Sequence, residues 1–170
     1  MSPALTSKIT PYQAQWPDMY RREATRLRPV FGSAMSAMHH VGSTAVPGLA
    51  SKPELDILVV VTAVANAESW TEELAAFQYR RGGNLSPGHL FFKRDVEGIR
   101  THKIHVCLEN HSKIHEMLSF RDYLRQHSDV RDEYQALKLE LERTNVSGIS
   151  EYLKGKEPFI EAVLKKSHSD

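Results

Sequence analysis

Thiols, long apolar runs and an excess of either charge are all missing from this chain. One cysteine, Cys107, stands among 170 residues, which excludes a disulfide framework and a thiolate metal cage. A buried small hydrophobe on a strand is the plain reading of that cysteine. The longest apolar run, Ile57 to Val61, is far too short to span a bilayer. No long apolar segment follows Met-Ser-Pro-Ala-Leu-Thr-Ser-Lys at the start, so no signal peptide is expected and the sequence reads as cytoplasmic, with no membrane partner. Lys plus Arg number 22 against 21 Asp plus Glu, a net charge of +1. That balance gives no reason to expect bulk nucleic-acid binding. Repeats and low-complexity tracts are absent too. A chain of this length with 41% apolar residues has enough material for one domain with a real core.

Residues 1 to 15, with Pro3 and Pro11, read as an extended lead-in. Trp16, Tyr20, Leu27 and Phe31 recur at helical spacing after Pro17-Asp18, and Pro29 and Gly32 are expected to end that helix. Arg21, Arg22, Arg26 and Arg28 then fall on its wet side. Ala34 to Val41 reads as a strand, and Ile57 to Val61 as a strand covered on both faces. A helix follows near Val64 to Phe77, with Asn66 or Thr62 as its cap. Tyr79 to Pro87 is turn-rich, and Leu90-Phe91-Phe92 and Ile99 to Leu108 form a hairpin about Glu97-Gly98. On the second of these strands Thr101, Lys103, His105 and Cys107 share one face. Ser112 and Ser128 are placed to cap two further helices. The last helix begins either at Pro158 or, with a kink, at Ser150. Strands in the first two thirds and helices in the last third predict an α+β fold, a mixed sheet flanked by helices.

The chemistry is concentrated between His40 and Val61. Gly42-Ser43 directly follows a strand; glycine admits a close backbone approach, and the following amides can point at an anion. Taken alone, Gly-Ser is a common structural turn. Glu54 and Asp56 are one residue apart on an extended segment, so their carboxylates face the same way. Such a pair is costly unless a cation or water neutralises it, and magnesium accepts one or two carboxylates together with phosphate oxygens. Lys52 lies between the turn and the acids and is a candidate for phosphate charge. A solvated strand entrance and a solvated loop lysine are the plain alternatives. Acid-x-acid about a dozen residues after Gly-Ser resembles the nucleotidyltransferase superfamily pattern. A third acid usually comes from a neighbouring strand. Here that strand is Thr101 to Glu109, where His105 is expected to face the site and Glu109 lies further along. His105 is therefore a candidate general base or phosphate ligand. His102 and His105 are three apart and so on opposite faces of a strand, which argues against a His-x-x-His metal site. Lys93, Lys103, Arg121, Lys154 and Lys156 are weaker candidates for the rest of an anion pocket.

The stretch His40-Val-Gly-Ser-Thr-Ala-Val-Pro-Gly-Leu-Ala-Ser-Lys-Pro53, followed by Asp56-Ile-Leu-Val, resembles the signature of the GrpB family. Pro11-Tyr12 with Trp16-Pro17, Arg22-Glu23-Ala24, His102 to Val106, Phe120 to Arg125, Glu133-Tyr134-x-x-Leu137-Lys138 and Lys156 with Pro158-Phe159-Ile160 extend the resemblance over nearly the whole chain. It implies a nucleotidyltransferase-like fold in a single domain over residues 1–170. It also implies Asp56 as the shared acid, with Glu54 particular to this chain. Similar domains joined to dephospho-CoA kinase imply a link to nucleotides or coenzyme A. Three functions remain open. One is a nucleotidyltransferase that holds phosphate at Gly42, Ser43 and Lys52 and Mg2+ at Glu54 and Asp56, with His105 nearby. The second is a non-catalytic module that binds a nucleotide, a coenzyme A precursor or a partner protein. The third is a scaffold with no small ligand.

Overall fold

A computed structural model describes residues 3–169; Met1 and Ser2 of the expected lead-in lie outside the described residues. The strands are β1 (Met35–Val41), β2 (Leu55–Val61), β3 (Arg80–Arg81), β4 (His89–Val96) and β5 (Ile99–Leu108), and the sheet order is β1-β2-β5-β4-β3. All neighbours pair antiparallel except β2 and β5, which are parallel. The helices are α1 (Trp16–Phe31), α2 (Ala67–Ala75), α3 (Ser112–Gln126), α4 (Ser128–Thr144) and α5 (Ile149–Ser169). This is the expected α+β architecture, with a mixed sheet and a helical last third.

Central β2 is apolar on both sides because both are covered. Ile57, Val59 and Val61 join Ile104 and Val106 of β5 beneath Leu27 and Phe31 of α1 and Trp70 and Leu74 of α2. On the other face Leu58 and Val60 meet Cys107, with Ile114, Met117 and Leu118 of α3 packed over them. A third cluster joins Val46 and Leu49 of the β1–β2 loop to Leu124, Tyr134 and Val163 of the C-terminal helices. Burying these side chains supplies most of the driving force for the layered fold.

Several boundaries differ from those expected, for local reasons. α1 runs through Pro29 and stops at Gly32, whose φ of 54° turns the chain and whose amide donates to Arg28 O. Its four arginines lie on the exposed side, as their spacing requires. α2 ends at Ala75 because Phe77 and Gln78 already bond back into a turn, with Gln78 at φ 69°. Asn66 holds its N-cap position without a side-chain capping bond. The cap of α3 is His111, whose side chain accepts from Lys113 N, and not Ser112; Ser128 likewise begins α4 one residue inside its cap position, His127. The turn-rich stretch contains the two-residue edge strand β3. Glu97 and Gly98, both at positive φ, make the expected hairpin turn between β4 and β5. α5 is continuous through Gly155 and Pro158. Gly155 is needed for packing, since a Cβ there would lie 2.5 Å from Leu141 Cδ2 on α4.

Candidate functional site

Antiparallel pairing of β1 with β2 sets Val41 opposite Asp56. The next residue, Gly42, thus turns directly over that carboxylate. Its φ of 76° and ψ of −175° are open essentially only to glycine. A Cβ at this position would overlap Asp56 Oδ2 and come within 2.8 Å of Asp56 Cγ. Glycine is therefore required twice, by dihedral and by space, and the Gly-Ser turn and the acid form one structural unit.

Ser43 opens a single 3-10 turn, Ser43–Ala45, and not the helix whose N-terminus could have favoured an anion. The loop beyond it is stapled at both ends and from above. Thr44 Oγ1 donates to Glu54 O at 3.1 Å and therefore accepts from His40 Nε2 at 2.9 Å. Three arginines of α3 and α4 hold its carbonyls: Arg121 to His40 O (3.0 Å), Arg125 to Ala45 O (2.9 Å) and Arg131 to Pro47 O (3.2 Å). Gln135 accepts from Ala50 N at 2.8 Å. Lys138, buried on α4, donates to Ser43 Oγ at 3.0 Å and to Ala50 O at 2.7 Å.

Parallel register between β2 and β5 pairs Asp56 with Lys103. The position expected to supply a third acid, or a histidine, thus carries an ammonium. Lys103 Nζ lies 3.6 Å from Glu54 Oε2 and 3.5 Å from Asp56 Oδ1. The Asp56 charge beside it, more than that of Glu54, holds Lys103 above its ordinary range against burial. His105 pairs with Leu58, one same-face step further along β5. Its Nδ1 is engaged with His89 Nε2 at 2.9 Å, and burial depresses its pKa to about 4. Glu109 lies past the end of β5, its amide bonded to Val61 O at the far end of β2, so it does not reach the acids.

Glu54, Asp56 and Lys103 join Ser43, Lys52, Lys138 and Lys156 around a chamber of about 60 Å³ roofed by Tyr152 of α5. Lys52 and Lys156 hold their ammonium groups 4.0 and 4.7 Å from the centre of the Tyr152 ring, a cation–π arrangement. Burial lowers all three lysines other than Lys103: Lys52 in direction, Lys138 to about 7 and Lys156 to about 8, with the neighbouring ammonium groups adding to the effect. Four lysines stand against two carboxylates around the chamber, an arrangement that can accept an anion. Sequence reasoning named Ser43, Lys52, Glu54 and Asp56 in this chamber, with Lys103 and Lys156 as weaker candidates. Lys138 and Tyr152 were missed as site residues, as was Tyr134 beneath the chamber, whose side chain bonds Ser43 and whose ring centre lies 5.1 Å from Lys138 Nζ. The Tyr134-x-x-Leu137-Lys138 wording carried the signal for two of them, but on a helix those residues read as core and surface. Of the other weak candidates, Arg121 staples the loop, while Lys93 and Lys154 lie outside this chamber.

The donors suit one hard divalent ion completed by ligand oxygens. Asp56 Oδ1 is buried and faces the Lys103 ammonium at 3.5 Å. Two carboxylates match magnesium's usual protein share, and an ion held there would take the place that Lys103 now occupies. No group of three His, Cys, Asp or Glu assembles here among the described residues.

The fold is nucleotidyltransferase-like. The Cid1 poly(U) polymerase bound to Mg 3′-dATP superposes with a TM-score of 0.62 at 15% identity, over 86% of this chain and 49% of that one. The GrpB protein of Enterococcus faecalis superposes with a TM-score of 0.86 at 30% identity, over 94% and 96% of the two chains. The family model for GrpB protein matches residues 6–166, and the chain belongs to the GrpB family. It is 34% identical over 154 residues to UPF0157 protein YqkA of Bacillus subtilis (strain 168), covering 90% of this chain and 45% of YqkA, so it spans less than half of that relative. A dephospho-CoA kinase of Mycolicibacterium paratuberculosis is 25% identical over 185 residues, which cover 94% of this chain and 46% of the kinase.

Proposed function

We propose that this protein binds a nucleotide or another phosphorylated small molecule in the chamber between Ser43 and Asp56, with a divalent ion held by Asp56 and Glu54. The observation that carries the reading is the convergence of Lys52, Lys138 and Lys156 with Ser43 beside the Glu54–Asp56 acid pair. The Mg-bound nucleotide in Cid1 supports it by likeness of fold. In this reading Lys52 and Lys156 cover phosphate charge, Ser43 donates to a phosphate oxygen, and Gly42 keeps the approach open. Magnesium bound there would polarise the phosphate and offset charge during in-line displacement. His105, two residues from Lys103, lines the adjoining cavity; with Nδ1 engaged by His89 and the ring held neutral by burial, it could offer only Nε2 to an acceptor hydroxyl, as a weak base. The setting is the cytoplasm, where such ligands are abundant.

Calorimetry with ATP tests the reading. Binding should tighten with Mg2+, and Asp56→Asn should remove that dependence. Equal binding with and without the ion would sink the metal half, and no binding in either condition the whole.

One observation favours a second reading, a binding module without transfer chemistry: Lys103 stands where a third carboxylate is expected. The dephospho-CoA kinase likeness suggests a coenzyme A precursor as its ligand. Incubation with labelled ATP and a panel of hydroxyl acceptors separates the two, because any nucleotidylated product excludes a pure binder.

A further inference from the structure

The lysine chamber is too small for the ligand it is built to attract. Its volume of about 60 Å³ falls well short of the roughly 300–1,000 Å³ of an organic-ligand pocket and suits a small anionic group. A second cavity of about 500 Å³ lies against it, and Lys52, Glu54, Lys103, Ile149 and Leu153 belong to the walls of both. That volume is in the ordinary range for an organic ligand. Its surface is of another kind. Phe91 from β4, Leu85 from the loop before it and Leu153 from α5 present apolar faces, with Leu85 and Leu153 about half exposed.

Phe91 is held for this role by its neighbours. Its backbone O accepts from Gly82 N at 2.8 Å. A Cβ at Gly82 would come within 2.7 Å of Phe91 Cδ1, so the glycine leaves the ring room to lie against the β3 side. The His105 ring flanks it at 5.3 Å between centroids. Lys93, opposite Lys103 in the β4–β5 register, carries positive charge from the acid pair into this second cavity.

We infer that the ligand is bipartite: a phosphate end seated on Lys138, Lys156 and Ser43, and a planar organic body lodged in the adjoining cavity against Phe91 and Leu153. The ligand class is then a nucleoside phosphate, and free inorganic phosphate or pyrophosphate would occupy half the site. The inference rests on the phosphate-binding reading above and adds where the body of the ligand lies. Glu54 stands at the junction, and Phe91, Leu85 and Leu153 decide which organic group is accepted.

The test is calorimetry in magnesium buffer with pyrophosphate and with ATP, GTP, CTP and UTP, on the wild type and on Phe91→Ala, Leu85→Ala and Lys156→Met. Leu85 is an exposed loop residue that lines only the second cavity, so its truncation leaves the fold intact even if Phe91→Ala does not, and melting temperatures check both. Phe91→Ala and Leu85→Ala should weaken the best nucleotide about tenfold, the scale of one lost aromatic or apolar contact to a base, while pyrophosphate affinity stays within about twofold. Lys156→Met should weaken both. If the two cavity variants bind every nucleotide as the wild type does while Lys156→Met does not, the bipartite inference falls and the phosphate reading stands. An equal loss of nucleotide and pyrophosphate in the cavity variants also overturns the inference. If neither nucleotides nor pyrophosphate bind the wild type, both fall together.

Discussion

Lys138 shows how much a single side chain can carry here. Its carbon stem crosses the C-terminal core, and its ammonium reaches Ser43 Oγ and Ala50 O. Burial, then the nearby Lys156 and Lys52, depress its pKa to about 7. Lys156 is depressed to about 8 by burial first and by Lys103 and Lys52 next. An anion in the chamber favours the charged form of both, so binding near pH 7.5 should take up a fraction of a proton. The check is whether the binding enthalpy of pyrophosphate varies with the ionisation enthalpy of the buffer. A clear positive uptake is expected for the wild type and a smaller one for Lys138→Met; an enthalpy independent of buffer in both would contradict the assignment. Asp56 was legible as a candidate because two acids at an alternating spacing face the same way and follow a Gly-Ser turn. Lys138 was not, because a helical lysine beside a leucine looks the same whether it points to solvent or to a buried serine.

At the scale of elements, the β1–β2 loop carries the candidate site and the helices are its clamp. Gly42 joins them through a conformation closed to other residues. Gly42→Ala must either push Asp56 aside or distort the loop, and a non-glycine residue in that region of dihedral space costs about 1–3 kcal/mol. Urea unfolding should register a loss of that order, and nucleotide affinity should fall with it. Stability within about 0.5 kcal/mol of the wild type, the range of an unremarkable surface change, would show that the Gly42–Asp56 contact is unimportant. Most of the elements were readable from periodicity and turn residues. Boundaries moved where a longer-range contact decided them, as at α5, where the Gly155–Leu141 approach lets one helix continue across glycine and proline. β3 escaped notice because a two-residue edge strand is defined by its partner, β4, and by little in its own sequence.

For the molecule as a whole, buried imidazoles set the response to acid. His40, His89 and His105 are each depressed to about 4, mainly by burial. In the unfolded chain each returns to roughly 6.5, so between these values the unfolded state binds more protons. Stability therefore falls as pH drops from about 6.5 towards 4 and is fully present above that window. Urea midpoints at pH 7 and pH 5 should differ by an amount worth about 1 kcal/mol or more for each histidine, and His89→Gln should reduce the difference. Equal midpoints at the two pH values would show that these rings are not held neutral by the fold. No helix among the described residues is long and apolar enough to cross a membrane, which agrees with the absence of long apolar runs.

What the sequence determined by itself was most of the elements, the α+β class, the family and the pairing of a glycine-serine turn with an acid. These rest on interactions local in the chain, namely apolar period, turn stereochemistry and the direction of alternate side chains. Only the tertiary structure decided which residue stands across from Asp56. The parallel register of β2 against β5 joins positions 47 residues apart, Asp56 and Lys103, and no local preference encodes which pair meets. The same holds for the lysine chamber, which draws its charges from the motif loop, β5, α4 and α5. The energy that brings four lysines together, with Lys52 and Lys138 buried, comes from packing elsewhere, so their partnership is a property of the fold and not of any one segment.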